Sequence, residues 1–430
     1  MYRRDVPPMP APESSSPALL LSGGGARAAY QVGVLKGLRD ILPSGIANPF
    51  PIICGTSAGG LNAAGIACQA DRFSVGIELL ENIWANFHTH QVYRTDVLGV
   101  WACALRFLAT LMIGRLGQNQ AVSLLDNRPL RQLLSRHLDM ERLPVMIEAG
   151  HLHALAITAS GYTSGESVSF FQGHPELQPW ARSRRIGVRT DLSVDHLMAS
   201  AAIPVIFPAV RVHREFFGDG AVRQLAPISP ALHLGADRVL VIGVSSKNQV
   251  RRQREQVNSY PSIAQIIAHI MANAFIDSLE GDIERLNRVN HTISLIPPEV
   301  RADAGVALRP VQVLTIAPPN NVIENMALRH VDSLPYSVRM FVQGSGATRK
   351  SGAGVLSYLL FEAEYSRALI ELGYTDAISR REEILAFMGQ DPMPGAAADG
   401  TASASPLDAP ACTGSGGSRL VGSDGSATGG

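Results

Sequence analysis

Two glycine-rich turns constrain the fold of this chain most, because each lies between a short apolar run and a helical pattern. The first turn, Ser22 to Ala28, follows the apolar run 18–22, and the second, Gly55 to Gly59, follows the run 51–54. Short apolar runs that end at glycine, serine or threonine are typical of buried strands. We expect further strands of this kind at residues 155–160, 238–245 and 311–316.

Helical patterns separate these strands. They predict helices at residues 26–42, 59–70, 75–87, 130–138 and 262–290, and at 352–372, where Gly373 would end the helix. Because strands and helices alternate along the chain, the sequence predicts an α/β fold. Its expected architecture is a mostly parallel central sheet covered by helices on both faces.

Composition divides the chain into four expected parts. Residues 1–17 carry prolines where a signal peptide needs an uninterrupted apolar core, so we expect the disordered leader of a cytoplasmic protein. Residues 18–235 form the expected α/β domain, and residues 236–390 are expected to be mostly helical and to pack on it. Residues 391–430 are rich in Gly, Ser and Ala and contain no aromatic residue, so we expect a disordered tail.

The charge balance argues against nucleic acid as a partner. The chain of 430 residues has 37 basic and 37 acidic side chains and a formal net charge of zero, so no general attraction to polyanions is expected. Its four cysteines form neither a C-x-x-C pair nor a zinc-ligand spacing. We therefore expect no structural zinc site, and the sequence leaves the oligomeric state open.

One apolar segment, residues 97–113, is poorly suited to crossing a membrane. Arg106 lies near its middle, where an arginine costs about 2.5–3.5 kcal/mol on insertion scales. Its apolar residues share one helical face that is flanked by Arg94 and Arg115. The pattern fits a helix in peripheral contact with a membrane surface, a helix that caps an apolar pocket, or an ordinary buried helix.

The first glycine-rich turn suits an anion. Consecutive glycines let the backbone turn sharply and aim its amides outward, and the start of the following helix adds positive potential. One candidate anion is a dinucleotide pyrophosphate, because Gly23, Gly25 and Ala28 loosely satisfy the Rossmann pattern. The other candidate is the oxyanion of a tetrahedral intermediate, which needs backbone donors set in advance. A strand-to-helix turn without a ligand is the third interpretation.

The second glycine-rich turn has the pattern G-x-S-x-G. Gly55 and Gly59 flank Ser57 between a strand and a helix. That context is typical of a nucleophile elbow, in which small neighbours permit the crowded turn that presents the serine hydroxyl. The sequence therefore predicts that Ser57 is a nucleophile.

A serine hydroxyl needs an adjacent base, and the sequence offers two kinds. A Ser-acid-His triad could use Asp219 with a later histidine, and four histidines follow in the required order: His233, His269, His291 and His330. None of them lies in a distinctive loop. The alternative is Asp219 itself, which stands in a Gly-Asp-Gly turn after two aromatic residues. An apolar environment would raise its pKa toward the range useful for a general base.

Three motifs in order resemble the patatin-like phospholipase family. They are Gly-Gly-Gly-x-Arg after the first strand, the Gly55–Gly59 elbow after the second, and Asp219 with Gly220 and Ala221 late in the domain. Segment 200–208 is similar to the one that such proteins place before the aspartate. The resemblance covers residues 18–235, which it identifies as a patatin-like catalytic domain.

The resemblance implies a Ser–Asp dyad without histidine. Ser57 would be the nucleophile and Asp219 the general base. The oxyanion hole would be formed by backbone amides of the glycine loop, namely those of Gly23, Gly24, Gly25, Ala26 and Arg27. The side chain of Arg27 could steady the loop, meet a phosphate head group, or lie on a helix surface. The resemblance implies neither a metal nor a cofactor.

The implied activity is hydrolysis of acyl esters in lipids, of the phospholipase A or general acyl hydrolase type, through an acyl-enzyme. Two alternatives stay open: a carboxylesterase or thioesterase acting on soluble acyl esters, and a catalytically silent lipid-binding protein on the same fold. A nucleotide-dependent oxidoreductase is disfavoured, because the second strand is followed by Gly55, Thr56 and Ser57 instead of the acidic residue that would hold a ribose.

Overall fold

The computed structural model describes residues 16–96, 105, 123–246, 266, 269, 278–303, 308–336, 338–340 and 353–390. Within these residues the strands form one ten-stranded sheet. The strands are β1 (Pro17–Leu21), β2 (Ile52–Thr56), β3 (Ala154–Gly161), β4 (Ser167–Gly173), β5 (Trp180–Arg182), β6 (Arg185–Arg189), β7 (Val210–Val212), β8 (Glu215–Asp219), β9 (Arg238–Ile242) and β10 (Gln312–Ile316).

Helices lie between and after these strands. In chain order they are α1 (Ala29–Ile41), α2 (Ala58–Ala67), α3 (Phe73–Ala85), α4 (Thr89–Val92), α5 (Arg128–His137), α6 (Arg142–Glu148), α7 (Val194–Ser200), α8 (Ser229–His233), α9 (Ser278–Ser294), α10 (Pro298–Asp303), α11 (Asn320–Arg329), α12 (Ala353–Leu359), α13 (Ala363–Ser379) and α14 (Arg381–Phe387). Short 3-10 turns occupy Gly25–Ala28, Gly220–Arg223 and Val331–Ser333.

The sheet has a parallel centre and a mixed flank, in which β4 and β6 run parallel and the other pairs antiparallel. Its central order is β10-β9-β1-β2-β3, and all neighbours in this part run parallel. Beyond it, β3 pairs antiparallel with both β4 and β8. The mostly parallel α/β architecture expected from the sequence is therefore confirmed. The antiparallel pairs β3–β4, β3–β8, β5–β6 and β7–β8 were not expected.

Alternating residues of the central strands enter two apolar cores on opposite faces of the sheet. Leu19, Leu21 and Ile53 belong to the larger core, which helices α1, α2, α3 and α13 cover. Ala18 and Leu20 belong to the second core, to which α8 and α9 contribute. Since side chains in a strand alternate between faces, this partition explains why the strands are apolar throughout.

The sheet continues past residue 235, where the sequence analysis placed a domain boundary. Strand β9 pairs with β1 at the centre of the sheet, and β10 pairs with β9. Residues 236–390 therefore supply two strands as well as the expected helices. Residues 16–390 with the gaps stated above belong to one compact unit. The expected leader 1–17 lies outside the described residues except for 16 and 17, as does the expected tail from 391 onward.

The C-terminal helical region differs from its expected form. The predicted helix 352–372 is two helices, α12 and α13, and Gly373 lies inside the second instead of ending it. At that position α13 crosses α1 so closely that a methyl group on Gly373 would collide with the carbonyl oxygen of Tyr30. A methyl group on Gly33 of α1 would likewise collide with the carbonyl oxygen of Ile370. The backbones of α1 and α13 are in contact at this crossing, which explains why both positions are glycine.

The apolar segment 97–113 lies outside the described residues apart from Leu105, whose side chain is exposed. No helix within the described ranges is both long and apolar enough to span a bilayer.

Candidate active site

The two glycine-rich turns meet at one edge of the sheet. Strands β1 and β2 are parallel neighbours, and Leu21, the last residue of β1, lies opposite Gly55, the second-last residue of β2. The loop after β1 and the turn after β2 therefore leave the same edge side by side, where open α/β sheets bind ligands. Asp219 reaches this edge on β8, opposite Ala159 of β3.

Ser57 stands on a sharp turn between β2 and α2. Its backbone has φ 55° and ψ −133°, a conformation that residues other than glycine rarely adopt and that costs about 1–3 kcal/mol. The neighbouring glycines allow the turn. A methyl group on Gly55 would lie 2.6 Å from the carbonyl oxygen of Gly59, and one on Gly59 would collide with the carbonyl oxygens that end β1.

Ser200, the last residue of α7, fixes the backbone of the turn. The amide of Ser57 donates to Ser200 Oγ at 2.8 Å, and the same hydroxyl donates to the carbonyl oxygen of Thr158 at 2.6 Å. All three residues are buried. Ser200 thus satisfies a buried amide and ties the turn at Ser57 to β3. Ser200 lies in the segment that carries the family resemblance, but the sequence analysis gave it no role.

Ser57 and Asp219 are in direct contact although 162 residues separate them. Ser57 Oγ donates to Asp219 Oδ2 at 2.5 Å, and the amide of Ala221 donates to Oδ1 at 2.9 Å. The backbone of Asp219 is fixed as well, because its amide donates to the carbonyl oxygen of Ala202 and its carbonyl oxygen accepts from Ser160 Oγ. Each carboxylate oxygen therefore has a definite direction.

The environment of Asp219 suits a general base. The side chain is fully buried, and this desolvation raises the pKa of its carboxyl group to about 7, against the lowering effect of the hydrogen bonds from Ser57 and Ala221. A carboxylate with a pKa near 7 is a much better proton acceptor than an exposed one and is still substantially ionised at neutral pH.

Gly220 next to it is required sterically, since a methyl group there would collide with the carbonyl oxygen of Thr158.

The glycine loop presents unengaged amides beside this pair. The amide of Arg27 donates to the carbonyl oxygen of Gly24 at 3.1 Å and closes the 3-10 turn. Among the described residues, no backbone acceptor takes a hydrogen bond from the amides of Gly23, Gly24, Gly25 or Ala26. The Arg27 amide is therefore already engaged, and the other four expected oxyanion donors stay a prediction.

The side chain of Arg27 points into the protein. It is only 1% exposed, which rules out both a helix-surface position and contact with a phosphate head group in this structure. Its Nε donates to Ser357 Oγ at 2.8 Å. Of the three expectations for this residue, the one that remains is that it steadies the loop.

The histidines considered for a triad lie elsewhere. His233 stacks on Trp180, and burial lowers its pKa to about 4. His330, the residue directly after α11, has its Nδ1 2.8 Å from the carbonyl oxygen of Met326, while His269 and His291 are exposed. In the described part of the chain, the hydrogen-bond partners of the Asp219 carboxylate are Ser57 and Ala221, and no histidine touches either side chain of the pair.

Residues beside the pair line a small cleft. Ser22, Gly23, Thr56, Ala221 and Gln224 contribute to its walls, and Thr56 Oγ1 donates to Gln224 Oε1 at 2.8 Å. Across the described ranges, no group of three histidine, cysteine, aspartate or glutamate side chains could hold a metal ion. The chemistry available at this edge is that of a hydroxyl, a carboxylate and backbone amides.

The sheet thus brings a serine on a tight turn, a buried aspartate and a glycine loop to one edge. Residues 19–232 match the family model described as patatin-like phospholipase. The chain belongs to the patatin-like phospholipase family.

Comparison with individual proteins adds one relative in sequence. The chain is 30% identical over 217 residues to a cGAMP-activated phospholipase from Pseudomonas aeruginosa (strain BWHPSA011 / Pa011). The matched region is 50% of this chain and 55% of that protein, so the chain spans about half the length of the relative it matches.

Solved structures give weaker likenesses. VipD from Legionella pneumophila is 12% identical, with 89% of each chain covered and a TM-score of 0.29. A chain of the ExoU–SpcU complex from Pseudomonas aeruginosa is 14% identical, with 80% of this chain and 71% of that chain covered and a TM-score of 0.23. Alignments with TM-scores this low establish no correspondence between residues.

Proposed function

We propose that the protein hydrolyses acyl esters of lipids through a Ser57–Asp219 dyad and an acyl-enzyme intermediate. The observation that carries this proposal is the 2.5 Å hydrogen bond from Ser57 Oγ to Asp219 Oδ2. It joins a strained nucleophile turn to a buried carboxylate beside unengaged backbone amides. A hydroxyl, a base and oxyanion donors are the parts that acyl transfer requires.

In the first half of the reaction, the Asp219 carboxylate accepts the hydroxyl proton while Ser57 Oγ attacks the ester carbonyl carbon. The carbonyl oxygen becomes an oxyanion, which the amides of Gly23 to Ala26 stabilise by hydrogen bonds. When the tetrahedral intermediate collapses, the bond to the alcohol oxygen breaks. The protonated Asp219 returns its proton to that oxygen, so the alcohol leaves neutral and the acyl group stays on Ser57.

The second half repeats these steps with water. Asp219 accepts a proton from a water molecule, and the resulting nucleophile attacks the acyl-enzyme carbonyl. Collapse of the second tetrahedral intermediate breaks the bond to Ser57 Oγ, and Asp219 returns the proton to that oxygen. A carboxylic acid is released and the dyad is restored, without a histidine at any step.

A small, mostly apolar cleft of about 30 Å³ lies along α2, the helix that begins directly after Ser57. Leu61 lies one turn along α2 and its amide donates to the carbonyl oxygen of Ser57. The cleft runs from Leu61 between α2, α3 and α5, and its other apolar walls are Leu80, Ile83, Trp84, Phe87, Leu130, Leu133, Leu134 and Leu138. Its carbon-lined walls favour apolar over polar groups, and at this volume an acyl chain would enter only if the helices moved apart.

The nucleophile is tested by replacing Ser57. We expect Ser57→Ala to abolish release of p-nitrophenol from a medium-chain acyl ester and to leave the circular dichroism spectrum unchanged. His233→Ala and His291→Ala should keep most of the activity. If Ser57→Ala retains turnover, the proposed nucleophile is wrong, and if a folded histidine variant is inactive, a triad replaces the dyad.

The substrate class is tested by mass spectrometry of products from a mixed bacterial phospholipid extract, with the Ser57→Ala protein as the blank. Free fatty acid and lysophospholipid that appear only with the unmodified protein support a phospholipase. Turnover of p-nitrophenyl or thioester substrates without lipid products supports a soluble-ester hydrolase instead. No turnover of any of these substrates supports a catalytically silent lipid-binding protein.

The name of the Pseudomonas relative adds one condition to these assays. That protein is described as activated by cGAMP, so each assay is run with and without cGAMP. A large increase in turnover upon addition would extend that property to this chain. If cGAMP does not change turnover, this chain shares the hydrolase domain with that relative but not its activation by cGAMP.

Peripheral contact with a membrane is tested separately. Charging the apolar face of segment 97–113 should weaken binding to liposomes more than it slows turnover of a soluble ester. Equal loss of both would indicate that the segment is part of the core.

A further inference from the structure

Arg27 of the glycine loop is anchored on a helix that lies far away in the sequence. Its Nε donates to Ser357 Oγ at 2.8 Å, and 330 residues separate the two. Its guanidinium carbon lies 4.1 Å from the centre of the Tyr358 ring, within the range of a cation–π interaction. Ser357 Oγ donates in turn to the carbonyl oxygen of Gly354 at 2.6 Å, so the accepting hydroxyl is itself oriented. Both partners belong to α12.

The same helix also contacts the backbone of the loop. Gly25 has φ 54°, and a methyl group there would collide with the carbonyl oxygen of Tyr358. One residue of α12 therefore lies against both the backbone at Gly25 and the side chain of Arg27. Between these two positions is Ala26, one of the loop residues with an unengaged amide. The shape of the loop is consequently set from outside the loop.

We propose that Ser357 and Tyr358 are positioning residues that act through Arg27 to hold the glycine-loop amides where an oxyanion forms. This proposal rests on the proposed function, because it explains what holds the loop amides of that site in position. Residues 353–359 lie beyond the 19–232 region that matches the family model. The C-terminal helices would thus complete the catalytic machinery instead of merely packing on it.

The physical reason is that oxyanion donors act only when they are set in advance. A donor contributes strongly when it lies about 2.7–3.1 Å from the developing charge, and removal of one donor typically costs about 10²–10³ in kcat. Loss of an anchor would displace the amides without removing them. We therefore expect an effect of about tenfold, confined to the transition state.

The test compares two buried serines on neighbouring helices. Ser357→Ala removes the partner of Arg27. Ser366→Ala in α13 is the matched control, because Ser366 is also fully buried and its Oγ has no hydrogen-bond partner in the described part of the chain. On a p-nitrophenyl acyl ester, Ser357→Ala should lower kcat about tenfold with KM unchanged within twofold. Ser366→Ala should leave kcat within twofold of the unmodified protein.

Tyr358 gives a second comparison that separates positioning from general packing. Tyr358→Phe keeps the aromatic face over Arg27 and should retain most of kcat, whereas Tyr358→Leu removes it and should behave like Ser357→Ala. Melting temperatures of all variants are measured in parallel. A loss of kcat in Ser357→Ala no larger than in Ser366→Ala, or equal losses in Tyr358→Phe and Tyr358→Leu, would overturn the proposal.

A readout without turnover keeps this proposal separable from the proposed function. Hydrogen exchange of the loop amides at residues 23–27, followed by mass spectrometry, should be faster in Ser357→Ala than in Ser366→Ala. If the unmodified protein hydrolyses no ester, the proposed function fails and exchange alone decides the anchoring. Equal exchange rates in the two variants would then refute the anchor.

Discussion

The two halves of the candidate site, the serine turn and the glycine loop, are held in place by different parts of the chain. The serine turn is supported by Ser200 and Thr158, which both lie within the region that matches the family model. The glycine loop is held through Arg27, which contacts Ser357 and Tyr358 outside that region. The proposed nucleophile is thus supported within the region that matches the family model, while the loop contacts residues outside that region.

This difference separates two ways to damage the site. A change at the serine turn disturbs the contact between Ser57 and Asp219, and therefore the proton transfer. A change at the loop leaves that contact intact and weakens only the stabilisation of the oxyanion. The two kinds of damage should differ in their pH dependence, because the Ser57 hydrogen bond contributes to the pKa of Asp219 and the loop does not.

The largest effect is expected when the base is removed. Asp219→Asn should lower kcat by about 10³, within the range of general-base contributions. The same change should raise the melting temperature at pH 8. Burial raises the pKa of Asp219 to about 7 in the folded protein from 3.8, so its contribution to stability is full below pH 3.8 and is lost as the pH rises through 7.

Calorimetry at pH 8 and pH 5 checks this sign, since the stabilisation by Asp219→Asn should be larger at pH 8. If the Asp219→Asn variant is inactive and also less stable at both pH 5 and pH 8, Asp219 stabilises the fold and is not a base held at a cost in stability.

The pH profile of the unmodified protein should show the next largest effect. Because the base must be ionised to accept the Ser57 proton, kcat/KM should fall about tenfold per unit below an acidic limb near pH 7. Rates on a p-nitrophenyl ester between pH 5 and pH 8.5 measure the limb. A limb near pH 4 would show that an ordinary exposed carboxylate, and not Asp219, controls the reaction.

The substitution Gly25→Ala should distort the glycine loop directly. The new methyl group would collide with the carbonyl oxygen of Tyr358 at a backbone angle that alanine disfavours, so the loop must shift. We expect kcat to fall about thirtyfold, less than for loss of a whole donor, with the acidic limb unmoved. A limb that shifts together with kcat would show that the loop and the dyad are not independent.

The smallest effect is expected from Ser200→Ala at the serine turn. Removing this hydroxyl leaves the buried Ser57 amide without its acceptor, which costs about 1–3 kcal/mol of stability. We expect about a tenfold loss of kcat and an acidic limb at higher pH, since a looser Ser57 lowers the Asp219 pKa less. Denaturant unfolding and the pH profile measure the two effects. If the acidic limb of the pH profile does not move in Ser200→Ala, Ser200 does not support the position of Ser57.

The sequence predicted the parts of the fold and site that have a local pattern. Short apolar runs located the parallel strands because both faces of those strands are buried. Ser57 and Asp219 were predicted because each lies in a turn flanked by glycines. These glycines leave a visible sequence pattern, because a side chain at Gly55, Gly59 or Gly220 would collide with the backbone. Their contact across 162 residues followed from the family resemblance and not from spacing.

Features that depend on distant contacts were not predictable. The anchor of Arg27 joins positions 330 residues apart, and a serine and a tyrosine in a helix give no local signal of it. The break between α12 and α13 has the same origin. At this break the Glu362 carboxylate accepts from the amide of Thr89, a contact that helical periodicity does not reveal. The buried Gly373 looked like a helix end for the same reason.

The close crossing of α1 and α13 has a practical consequence for anyone who wants to excise the family domain. Helix α1 begins directly after the glycine loop, and its residues Gly33 and Gly37 are shaped to receive α13. A protein cut after residue 232 would leave that face bare and would also lose β9, one of the two strands that pair with β1. Such a fragment should be recovered as insoluble material, so recombinant work is better begun from the uncut chain.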